Sequence, residues 1–104
     1  MSYDVAPRCP YCDREGDNSN HTSNTSGMWT LAGCDIRSFH GKPVAEIIPA
    51  LNAAILELSQ HPEKYRSMEG PPQCGSVEST VRFLKEIRAS MEDARPHDVV
   101  EVCA

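Results

Sequence analysis

Long apolar runs are missing from this sequence. No stretch approaches the ~20 consecutive apolar residues of a membrane span. The opening Met-Ser-Tyr-Asp-Val has no basic leader followed by an apolar block. A cytoplasmic protein with no membrane partner is therefore expected. Basic residues are scarce too: 10 Lys and Arg face 15 Asp and Glu, for a formal charge of -5. Duplex nucleic acid is an unfavourable partner for such a chain, because phosphate binding rests on many cations displacing counterions. Cysteine is present in an odd number, 5, at irregular spacing, unlike the paired framework of a secreted mini-protein. Ser/His/Asp, Walker, dinucleotide and HExxH signatures are absent, so no residue is assigned a catalytic role and a non-catalytic protein is expected.

What remains describes one small domain. With 104 residues and a modest apolar fraction, the chain fills a single core spanning residues 1–104. Tyr3 to Val5 and Asp98 to Cys103 are predicted strands, the second on its Val99, Val100 and Val102, and they are expected to pair antiparallel. Residues 13–26 contain no apolar side chain and are expected to form a polar loop or insert. A short helix is expected over Met28 to Gly33, capped by Thr25 or Ser26. A longer one runs from Pro43 to about Gln60, where Val44, Ile47, Ile48, Leu51, Ile55 and Leu58 recur at helical steps and Pro49 should kink or divide it. A turn at Pro62 to Tyr65 follows. The last helix starts after Gly75 with Ser76 as cap and buries Val77, Val81, Leu84, Ile87 or Arg88, and Met91. The fold class is thus α+β, about three helices on a small antiparallel sheet made by the terminal strands.

Two features carry candidate chemistry. Cys9-Pro10-Tyr11-Cys12 is the tetrapeptide of glutaredoxins, but a redox pair needs its first thiolate at a helix N-terminus, and residues 13–26 show no helical pattern. The same spacing lets two thiolates approach one zinc ion from a tight turn. Cys9 and Cys12 are therefore candidate metal ligands, with partners to come from His21, Cys34, His40, Cys74 or Cys103. The alternative is a plain turn with two reduced thiols and no cofactor.

The second feature is a pair of polar segments, residues 20–26 and 71–76, each leading into a helix. Exposed amides at helix ends attract anions, and Asn, Ser and Thr side chains suit a ribose or base edge. Asn20, Thr22, Asn24, Gln73 and Ser76 are the candidate polar contacts, with Trp29 and Tyr65 as aromatic surfaces. The competing reading is that these are ordinary capping sequences and core aromatics.

Asn20-His21-Thr22-Ser23-Asn24 followed by Met28-Trp29 resembles the Asn-aromatic-Thr-x-Asn and Met-Trp signature of a family of small, mostly uncharacterised bacteriophage and bacterial proteins. The likeness continues through Gly41, Pro49-Ala50-Leu51 and Pro62-Glu63-Lys64-Tyr65. It departs at Gln73-Cys74-Gly75-Ser76, where the family has Asn-Gly-Trp-Gly, and at His21, where it has an aromatic residue. The resemblance implies a phage anti-defence protein of the host cytosol, able to form a homo-oligomer, that sequesters a small nucleotide-like immune signal. The alternatives are an inhibitor or adaptor of a host protein, and a zinc-stabilised interaction module.

Overall fold

The computed structural model describes residues 2–12, 14–69 and 75–103. Its terminal segments pair as their β-branched content suggests. Strand β1 (Ser2–Arg8) runs antiparallel to β3 (Val99–Cys103), with Val5 opposite Val102 and Arg8 opposite Val99. A further strand, β2 (Ser19–Thr22), lies on the other side of β1, giving the order β2-β1-β3. This corrects the loop expected over residues 13–26. Backbone amides and carbonyls close a ladder whatever the side chains, and the ladder with β1 supplies partners that a loop would lack. Here His21 stands in for an apolar residue, packed on Trp29 and Phe83 at centroid distances of 6.3 and 5.2 Å.

Helix α1 (Ser26–Leu31) follows a single 3-10 turn, with Thr25 at its N-cap but no side-chain cap bond. Gly33 ends it with φ of +102°, a conformation that glycine adopts freely. Helix α2 (Val44–Gln60) is continuous through Pro49, which corrects the expected division. Only one backbone bond is lost there, and burial of Val44, Ile47, Leu51 and Leu58 on either side holds the rod together. A 3-10 segment (Pro62–Met68) leads towards α3 (Val77–Glu92). Its buried face holds Val77, Thr80, Phe83, Leu84, Ile87 and Met91, while Val81 and Arg88 lie at the margin.

The fold is α+β, with the helices packed on the three-stranded sheet. Trp29, Tyr65, Phe83, Leu51 and Leu84 sit at the centre of its core. The outer edge of β3 is closed by the approach to α2: Gly41 N donates to Val100 O, Val100 N to Lys42 O and Val44 N to Asp98 O. Among the described residues no helix is long and apolar enough to cross a membrane.

Candidate metal centre

The polar segments preceding α1 and α3 do meet. A Cβ built on Gly75 would lie 2.9 Å from Thr25 Cγ2 and 3.1 Å from Thr22 Cγ2, so the two segments are in direct contact. Their polar groups are turned to the protein itself. Asn20 Nδ2 donates to Asp4 Oδ1 at 2.8 Å and Tyr3 O at 3.3 Å, and Thr22 Oγ1 accepts from Asn24 N. Hydrogen bonds from Asn18 and then Asn20 hold the Asp4 carboxyl below its ordinary range. Ser76 and Ser79 form a reciprocal capping box. Val77 N donates to Glu69 Oε2 at 2.7 Å, and Arg66 pairs with that carboxylate. Helix α3 therefore carries its N-terminal anion within the chain.

The aromatic candidates are corrected by burial. Trp29 is 1% exposed, edge-on to Tyr3 at 5.3 Å and against Phe83 at 5.5 Å, so neither ring face is open to a ligand. Tyr65 is fully buried and donates its hydroxyl to Glu57 Oε2 at 2.6 Å. Burial, reinforced by Glu57, pushes its phenol up to about 12. Both were drawn inward because a large apolar ring gains more from the core than from water. Gln73 and Cys74 lie outside the described residues.

The other candidate site is built by the sheet register. Arg8 opposite Val99 is the last rung of the β1–β3 ladder, so one step beyond it Cys9 faces Asp98. Past that rung the chain folds back: Cys9 N donates to Arg14 O at 2.7 Å and Gly16 N to Pro7 O at 2.8 Å, closing a hairpin around Pro10-Tyr11-Cys12. On the opposing side, Asp98 N donates to Arg95 O, and Arg95 N to Asp98 Oδ2 at 3.1 Å, which fixes the carboxylate in a tight turn before β3.

The result is a cluster in which one donor atom each from Cys9, His97 and Asp98 lies within 4.8 Å of the others. Cys9 is 2% and Asp98 6% exposed. Asp98 Oδ1 has no hydrogen-bond partner, although Arg95 Nε and His97 Nε2 each stand 3.7 Å away. A buried carboxylate oxygen without a hydrogen bond is costly; the Arg95 guanidinium offsets part of that cost, and a metal cation would offset more. Donors around tetrahedral zinc stand about 3.3–3.8 Å apart, given ligand bonds of about 2.0–2.3 Å, so modest side-chain rotations close the set. A thiolate, an imidazole and a carboxylate suit zinc far better than the oxygen-seeking magnesium or calcium.

Cys12 is exposed beside this group. A hydrogen bond with the Cys9 thiol, then the Arg14 backbone and the Arg95 guanidinium, hold its thiol below the ordinary range. The Tyr11 ring, 83% exposed at the hairpin tip, stands 5.8 Å from the His97 ring. A cleft of about 480 Å³ lined in part by Arg14, Asp17, Ser90, Arg95 and Asp98 adjoins the cluster.

Cys9 belongs to this cluster and Cys12 stands beside it, whereas the expected partners among the described residues, His21, Cys34, His40 and Cys103, lie elsewhere. His21 is packed against the core aromatics, and burial keeps its imidazole below its ordinary pKa. Cys34 is wholly buried, which pushes its thiol up to about 12. His40 Nδ1 accepts from Val102 N, and Cys103 sits beside Glu101. His97 and Asp98 were missed. The available signal was their place immediately before the strand expected to pair with the one that Cys9 follows.

No protein-family model matches the chain, and neither a curated protein nor a solved structure matches it significantly.

Proposed function

We propose that this protein is a non-catalytic interaction module whose chain ends are clipped together by a zinc ion held by Cys9, His97 and Asp98. The observation that carries this reading is the buried Asp98 carboxylate, whose Oδ1 makes no hydrogen bond and which offers an oxygen within 4.8 Å of a buried thiol and an imidazole. Zinc there would tie the end of β1 to the start of β3, stabilising the ladder that organises the sheet. The exposed Tyr11 at the hairpin tip would then be presented on a rigid support to a protein partner. Thermal unfolding tests the reading. Metal at 100 times its dissociation constant should add about 2.7 kcal/mol. Cys9→Ser and Asp98→Asn should abolish that gain, whereas an equal gain in both variants would defeat the proposal.

Capture of a small nucleotide-like ligand is the second reading, favoured by the contact of Gly75 with Thr22 and Thr25. Its candidate contacts are Asn20, Thr22, Asn24 and Ser76, of which Asn20, Thr22 and Ser76 would have to exchange an internal hydrogen bond for the ligand. Calorimetry against cyclic and ADP-ribose-type nucleotides tests it. Heat of binding lost in Asn20→Ala supports capture, and no heat with any of them removes it.

A further inference from the structure

We infer that Cys12 supplies the fourth ligand of this centre and that Arg95 is its outer-sphere cation, neutralising the charge of the loaded site. The inference rests on the zinc reading above and makes the site a closed one, with no coordination position left for a substrate. Its basis is geometric. Cys9 and Cys12 stand three residues apart in one tight hairpin, a spacing from which two thiolates can approach one zinc ion. Arg95 spans the remaining side of the group: its Nη2 stands 3.9 Å from Cys12 Sγ and its Nε 3.7 Å from Asp98 Oδ1. One guanidinium therefore touches the two anionic donors that come from opposite sides of the centre.

The chemistry gives both residues a reason to be there. As each sulfur–zinc bond forms, the thiol releases its proton to solvent. Two thiolates and one carboxylate around a dication leave one net negative charge, with the imidazole neutral. In a chain that is already acidic, that charge needs a nearby cation, and Arg95 is placed to donate to ligand atoms without entering the coordination shell. A three-ligand site of Cys9, His97 and Asp98 would instead keep an open position for water, the arrangement of catalytic zinc.

Cobalt(II) substituted into the full chain is the probe, because each cobalt–thiolate bond adds near-ultraviolet charge-transfer absorption. Wild type should show about twice the intensity per bound ion of Cys12→Ser, with far-ultraviolet dichroism confirming that the variant folds. Arg95→Gln should keep the two-thiolate spectrum while weakening affinity about 10–100-fold, and Arg95→Lys should recover part of the loss. A Cys12→Ser spectrum as intense as wild type overturns the fourth ligand, and unchanged affinity in Arg95→Gln overturns the outer-sphere role. Both results leave the three-ligand site standing. Failure of wild type to bind cobalt or zinc at all sinks the metal reading and this inference with it.

Discussion

Replacing Trp29 with alanine separates a core aromatic from a ligand platform. The ring is 1% exposed and touches Tyr3 and Phe83, so its removal deletes two aromatic pairs and opens a cavity at the junction of β1, α1 and α3. Truncating a buried tryptophan costs about 3–5 kcal/mol. The upper half of that range is expected here, because each lost aromatic pair is worth about 0.5–1.5 kcal/mol beyond burial. A domain with about 5–15 kcal/mol in hand would lose a large share of its stability. Urea unfolding followed by far-ultraviolet dichroism is the assay, since the variant has no indole to report. The midpoint should fall sharply at an unchanged slope. A loss under about 1 kcal/mol, the scale of surface substitutions, would refute the placement of Trp29 and return it to the surface.

Thr25 Oγ1 is buried without a hydrogen-bond partner while its Cγ2 packs towards Gly75, so Thr25→Val keeps the shape and should stabilise by about 1 kcal/mol. A destabilised variant in the same unfolding assay would count against that. Ser76→Ala removes the cap accepted from Ser79 N and should cost about 1 kcal/mol, whereas no loss would mean that Glu69 alone suffices to hold the helix end. Burial lowers the His21 pKa below its ordinary value of 6.5, so between the folded and unfolded values the unfolded chain binds more protons. Its contribution is therefore complete above pH 6.5 and is lost as the pH falls through the folded value. A proton NMR titration should give a midpoint below 6.5, and a midpoint at or above it would contradict the packing assigned to that ring.

The helices were legible because burial writes a period into the chain. Val44, Ile47, Leu51 and Leu58 recur on one face of α2, and Ser76 before Val77 is a cap with a physical reason. Strand β3 was legible from Val99, Val100 and Val102. Strand β2 was not, since Ser-Asn-His-Thr offers no apolar alternation and its pairing rests on the backbone ladder with Asn20 bonding across to β1. Pro49 did not divide α2, because packing on either side outweighed the one lost backbone bond. At the candidate centre, the Cys9–Cys12 spacing was readable but its partners were not. That Cys9 meets Asp98 depends on Arg8 standing opposite Val99, and a shift of one residue would carry the side chains to other faces. Register follows from the assembled core, so side chains 89 positions apart reveal their proximity only once the sheet is closed.

X-ray absorption at the zinc edge, on protein purified without added metal, probes the clip itself. The expected result is one zinc per chain, with two sulfurs at about 2.3 Å and two nitrogen or oxygen ligands at about 2.0–2.2 Å. Zinc with no sulfur in its shell, or protein that retains no metal and gains none when zinc is supplied, would contradict it.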